Sequence, residues 1–145
     1  MKNIVVPIDF SDVSKQVIER ASLLAKVFTA KMWLIHVVAP DPDFVGYNVG
    51  PQEVRDSVAN EIKKEHRQLQ ELATKIEQEG VDVTPLLVQG PTVETILKQT
   101  EKREADMVVM GSHGCGVLRR MLLGSVSEGV LRECQCPLMI IPKDK

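Results

Sequence analysis

Glycines and small hydroxyl residues crowd one stretch of the chain, Gly111-Ser112-His113-Gly114-Cys115-Gly116, and a second pair follows at Gly124-Ser125. Glycine lets a backbone turn tightly and approach a ligand with no Cβ in the way. Gly124 and Ser125 stand where a helix begins, because Val126, Val130, Leu131 and Cys134 recur behind them at helical spacing. The first turn of a helix carries unpaired backbone N–H groups and the positive end of the peptide dipole. Such a turn suits a phosphate, and the Ser125 hydroxyl offers one more donor. The same residues also suit a long surface turn with a Ser cap, and spacing alone leaves both readings open. The pattern has no Gly-Lys-Ser/Thr of a Walker loop, and it does not follow the first strand as Gly-x-Gly-x-x-Gly does. Asp9 is the second candidate, at the end of the apolar run Ile4-Val5-Val6-Pro7-Ile8. A ligand-binding carboxylate and a helix cap both fit that place.

Alternating elements must position these residues. Ile4 to Ile8 is short and rich in branched residues, as an interior parallel strand is. Ser11 and Asp12 offer an N-cap, and Val17, Ala21, Leu24, Ala25 and Phe28 make one face of a helix over 13–28. Met32 to Val38 is the second strand, ended by Pro40 and Pro42. Residues 51–79 read as a long helix with Val54, Val58, Ile62, Leu69, Ala73 and Ile76 in one stripe, and with His66 at the edge of the core. Gly80 stops it. Val81 to Val88 is a third strand, which Pro85 assigns to a sheet edge. A short helix from Val93 to Glu104 leads to the wholly apolar Met107 to Met110, hence a central strand. After the glycine-rich stretch comes the last helix, with Gly129 as an internal weak point, and then the strand Leu138 to Ile141. The order β-α-β-α-β-α-β-α-β predicts an α/β fold, a single open five-stranded parallel sheet with helices on both faces, doubly wound and Rossmann-like. Ligands of such sheets bind outside the carboxyl ends of the strands, where strand order reverses. If the first and fourth strands are neighbours, Asp9 and the glycine stretch face one crevice.

Gly-x-x-Gly, nine residues and Gly-Ser, at Gly111, Gly114 and Gly124-Ser125, resembles the nucleotide motif of the ATP-binding branch of the universal stress protein family. The flanks Val5-Val6-Pro7-Ile8-Asp9 and Cys136-Pro137-Leu138-Met139-Ile140-Ile141 are similar to its opening and closing segments, so the likeness covers one domain over residues 1–145. The resemblance implies that Asp9 hydrogen-bonds ribose hydroxyls. It implies that Pro7, Ile8 and the backbone of Val38 line an adenine pocket. It implies that Gly111, Ser112, His113, Gly114, Gly124, Ser125 and Val126 wrap the phosphates. ATP or another adenine nucleotide is the expected ligand, with any Mg²⁺ held by phosphate oxygens, in a stress-response signalling module that turns over slowly if at all. A homodimer through strand 138–142 is implied too. Cys115 stands where an Arg is common, which removes one cation near the phosphates, and Phe10 replaces a frequent Gly, which makes the mouth bulkier. Arg119 and Arg120 compensate or simply face solvent, and His113 is a phosphate donor or an exposed loop histidine. The rivals are a slow ATPase or self-phosphorylating enzyme on the same fold, and a nucleotide-free interaction module using helix 51–79. A ligase or pyrophosphatase would want a Ser-Gly-Gly loop after the first strand or lysines in the glycine stretch, and neither is present.

Composition narrows the partners. The net charge of −2 provides no broad basic field for nucleic acid, and 3% aromatic residues provide few stacking platforms. The N-terminal apolar run is too short for a signal peptide core or a membrane span. Three cysteines are an odd set for a disulfide framework, and reduced thiols in the cytoplasm are the expected state. Cys134 and Cys136, with His113 or His36, lack a zinc spacing and are read as structural.

Overall fold

The computed structural model describes residues 1–38, 52–112 and 123–143. Among these residues five strands, β1 (Asn3–Ile8), β2 (Lys31–Val38), β3 (Val83–Gln89), β4 (Met107–Gly111) and β5 (Leu138–Ile141), alternate with four helices. The helices are α1 (Asp12–Phe28), α2 (Gln52–Gln78), α3 (Thr92–Lys102) and α4 (Ser125–Glu133). Every strand pair is parallel and the order is β3-β2-β1-β4-β5. The expected doubly wound sheet is therefore present. Pro85 sits on the edge strand β3, and the apolar β4 is interior.

Side-chain alternation sorts the core into two layers. Ile4, Val6, Ile8, Met32 and Leu34 face one side and pack with Val17 and Ala21 of α1 and Leu69 and Ala73 of α2. Val5, Ile35, Val108 and Met110 face the other and pack with Ile96 of α3 and Val130 of α4. Gly129, an apparent weak point of the last helix, has a packing reason. A Cβ there would stand 2.8 Å from Val93 Cγ2, so α4 approaches α3 closely only because the side chain is missing.

Proline in a central strand runs against the usual edge preference, and Pro7 lies in β1. Lys2 O accepts from Lys31 N on the β2 side, whereas Asn3 O accepts from Asp106 N on the β4 side. Backbone groups alternate between neighbours, so odd residues of β1, Pro7 included, face β4. Pro7 has no N–H to give there. The β1·β4 ladder pairs Ile4 with Met107 and Val5 with Val108, while pairing with β2 continues to Ile8. The missing donor lies beyond that ladder, on the side where the strand order reverses.

Two details depart from the sequence reading. The apolar stripe of α2 is buried only from Leu69 onward; Val58 and Ile62 are half-buried, Val54 is 49% exposed and His66 is exposed rather than at the core edge. A helix of 27 residues spans about 40 Å at 1.5 Å per residue. The seven residues of β3 span only about 23 Å. The first half of α2 thus overhangs the sheet. Gly80 ends the helix in the left-handed region at φ 86°, as expected, and its N–H donates to Glu77 O.

Candidate functional site

A cleft opens at the carboxyl ends of β1 and β4, the two strands between which the order reverses. Pro7, Ile8 and Asp9 form its β1 wall, and Met110 and Gly111 its β4 wall. Gly124, Ser125, Val126 and Ser127 close it from the start of α4. Of the residues singled out in the sequence, Pro7, Ile8, Asp9, Gly111, Gly124, Ser125 and Val126 therefore converge. His113 and Gly114, with Cys115, Arg119 and Arg120, lie outside the described residues.

The helix start is built for an acceptor. Gly124 is the N-cap, in an extended conformation, and no side chain caps the helix. Its own N–H donates to Ser112 O at 2.7 Å, and its carbonyl accepts from Glu128 N at 2.9 Å. Helix geometry leaves the N–H groups of Ser125, Val126 and Ser127 without an intrahelical acceptor. The Ser127 hydroxyl turns away from capping and donates to Gly111 O at 2.7 Å, which ties α4 to the end of β4. Ser112 does not line the cleft. It is buried and works as a brace, donating from its N–H to Ile141 O at 2.8 Å and accepting from Gly124.

Asp9 is exposed at the rim. Its Oδ1 accepts from Ser11 N–H at 3.0 Å and from the Ser14 hydroxyl at 3.2 Å. Ser11 is the N-cap of α1 but makes no side-chain cap bond, and the Asp9 carboxylate instead closes a turn onto the Ser11 N–H two residues on. Among the described residues that line the cleft, Asp9 is the one charged side chain. Val37 supplies the side chain on the wall at this end of β2, and the backbone carbonyl of Val38 accepts from Gly90 N at 3.0 Å.

Several wall residues went unnoticed in the sequence. Ile35 of β2 and Ile96 of α3 form an apolar floor, Val13, Ser14 and Val17 of α1 form one side, and Thr92 stands at the start of α3. Their apolar or hydroxyl types carry no motif, and only the convergence of three helix starts on one sheet end brings them together. Phe10 is the reverse case. Bulk at this position suggests a crowded mouth, yet Phe10 is absent from the wall and packs into the α1/α2 layer. Its φ of 59° lies in the left-handed region, the conformation a glycine takes most easily.

Chemically the arrangement offers an apolar slot, a carboxylate at the rim and a row of backbone donors opposite. It offers no described lysine or arginine on the wall, and the described residues hold no cluster of three or more metal-ligating side chains. No helix among the described residues is long and apolar enough to cross a membrane.

Known proteins share this fold. A universal stress protein of Methanocaldococcus jannaschii is 37% identical across 99% of this chain and 84% of its own length. The solved structure of a second protein of that family and organism superposes with a TM-score of 0.84 at 25% identity, covering 99% of this chain and 97% of that one. A universal stress protein of Archaeoglobus fulgidus, solved in complex with dAMP, shares the fold with a TM-score of 0.67 at 18% identity over 97% of this chain and 98% of that one. The sequence matches the universal stress protein family over residues 1–142, and the chain belongs to that family.

Proposed function

We propose that the cleft binds an adenine nucleotide, ATP foremost, and that the protein is a regulatory nucleotide-binding module of the stress response in the cytoplasm. One observation carries the reading: the open first turn of α4 and the Asp9 carboxylate flank a single apolar slot at the strand-order reversal. The base takes the slot between Ile8, Val37 and Met110. The ribose hydroxyls meet Asp9. The phosphates meet the N–H groups of Ser125, Val126 and Ser127, with His113 and Gly114 contributing from the segment that follows Ser112. Mg²⁺ is held by phosphate oxygens and water. The dAMP complex of the Archaeoglobus fulgidus relative supports an adenine nucleotide as the class of ligand.

Turnover is expected to be slow. Phosphoryl transfer needs a positioned nucleophile and charge neutralisation at the γ-phosphate. The described wall has one carboxylate, at the ribose end in this reading, and no cation. The edge strand β5, apolar and half-buried along Leu138–Ile141, supports a homodimer formed by pairing strand 138–142 with its copy.

Thermal unfolding with added nucleotide tests the reading. A ligand that binds only the folded state adds about 2.7 kcal/mol at a hundredfold excess over Kd. A melting temperature indifferent to millimolar ATP, ADP and AMP defeats it. Single-turnover release of γ-labelled phosphate separates a binding module from an ATPase.

A further inference from the structure

Two sulfur atoms meet outside the cleft. Cys134 Sγ lies 3.5 Å from Cys136 Sγ, and the same Cys134 sulfur is 3.6 Å from the Cys136 carbonyl oxygen. The two side chains therefore meet across one intervening residue, Gln135. We propose that Cys134 and Cys136 are a redox-modification site, a dithiol that hydrogen peroxide converts into an intramolecular disulfide and a thiol reductant restores.

The geometry is prepared on both sides. Cys134 is the C-cap of α4, extended in backbone, with its N–H held by Val130 O at 2.8 Å. Pro137 then starts the approach to β5, its carbonyl accepting from Val108 N at 2.9 Å. Residues 134–137 lie between these anchors, so closing the pair breaks no strand ladder. A disulfide needs about 2.05 Å between sulfurs, so the pair has about 1.5 Å to close. Both cysteines are half-buried and within reach of a small oxidant. Among the described residues no further His, Cys, Asp or Glu completes a metal set around them.

The two thiols have different roles. Burial, and then the hydrogen bond with Cys134, push the Cys136 thiol from its ordinary 9.0 up to about 11. That raised value disfavours Cys136 as the attacking thiolate, and the attack falls to Cys134. The Cys134 thiolate attacks a peroxide oxygen, the O–O bond breaks, and the departing hydroxide leaves as water after taking a proton. Cys134 is then a sulfenic acid. The Cys136 sulfur attacks Cys134 Sγ, the S–O bond breaks, and the hydroxide takes the Cys136 proton as a second water. Two thiols have lost two electrons, and one peroxide has gained them. The disulfide ties the end of the helix that opens on the cleft to the start of the edge strand. It forms whether or not the cleft holds nucleotide.

Peptide mapping of the full wild-type chain tests this. Trypsin releases residues 133–143 as one peptide holding both cysteines and no other, which keeps Cys115 separate. Stoichiometric peroxide is expected to remove two hydrogen masses from that peptide, and dithiothreitol to restore them. In Cys136→Ser the reaction stops at a Cys134 sulfenic acid that dimedone captures. In Cys134→Ser the two-hydrogen loss is expected to disappear. The proposal is overturned by oxygen added at sulfur with no loss of two hydrogens, by a peptide that peroxide leaves unchanged, or by cross-linked dimers in place of the internal bond.

Discussion

The rings of Phe10 and His36 lie 4.6 Å apart, centre to centre, and tilted by 53°. The contact accounts for a costly backbone. Phe10 sits at φ 59°, where an L-residue loses about 1–2 kcal/mol relative to the right-handed region. Its ring compensates by covering His36, which is buried. His36 Nδ1 donates to Ile8 O at 2.9 Å, and Nε2 lies 3.3 Å from Glu65 Oε2. The turn next to Asp9 is thus joined through one imidazole to the middle of α2.

Two substitutions at Phe10 separate strain from packing. Phe10→Ala removes the ring and keeps the strained φ, so it is expected to be the less stable variant. Phe10→Gly removes both, and should exceed the Ala variant by about 1 kcal/mol in urea unfolding. Equal stabilities would show that the turn relaxes when the ring is lost.

Gly129→Ala sets helix propensity against space. Alanine favours a helix by about 1 kcal/mol over glycine. Its Cβ would meet Val93 Cγ2 at 2.8 Å, and overpacking costs about 1–3 kcal/mol. The expected net result is destabilisation by about 1 kcal/mol, reduced when Val93→Ala is added. Strict additivity of the two changes in thermal unfolding would refute the contact.

Stability should respond to pH at both ends of the range. Asp106 Oδ2 accepts from the Lys2 and Asn3 N–H groups, which holds its carboxyl below the ordinary 3.8. A group lowered on folding contributes above its unfolded value and loses that contribution as pH falls through its folded one. The advantage of wild type over Asp106→Ala should therefore shrink as pH drops below 3.8. Cys136 has the opposite sign. Its thiol is raised from 9.0 to about 11, so its contribution is whole below 9.0 and fades as pH climbs through about 11. Cys136→Ser should lack that alkaline loss in denaturant titrations followed by circular dichroism.

Asp9→Ala should weaken adenine nucleotide binding by roughly 1–3 kcal/mol, as expected for lost hydrogen bonds to a charged group. Calorimetry measures it directly. Residual single-turnover hydrolysis at saturating ATP should be unchanged, because the proposed binding mode puts the carboxylate at the ribose. A selective loss of phosphate release would mark Asp9 as part of an ATPase.

Ile140→Lys or Met139→Pro should lower the oligomeric state, since both alter the edge strand β5. Light scattering at micromolar concentration reads the result. A wild-type monomer under those conditions would refute pairing through strand 138–142.

Hydrophobic periodicity was enough to read the order of strands and helices, because strand and helix periods of 2 and 3.6 are local properties of sequence. The edge place of β3 followed from Pro85, and the interior place of β4 from its unbroken apolar run. The glycine spacing with Asp9 pointed to the cleft, since those residue types answer to ligand approach rather than to packing. Other features depended on residues distant in sequence. Pro7 lies in a run that reads as an interior strand, and only the neighbours of β1 show that its absent N–H falls on the β4 side. His36 and Glu65 are 29 positions apart, and neither stands in a motif. The floor of the cleft is Ile35 and Ile96, apolar residues like any others in the chain. Their role comes from three helix starts meeting at one sheet end, a relation that strand order decides and local sequence does not encode. The left-handed turn at Phe10 has the same origin: the ring is tolerated there because the tertiary fold puts His36 beneath it.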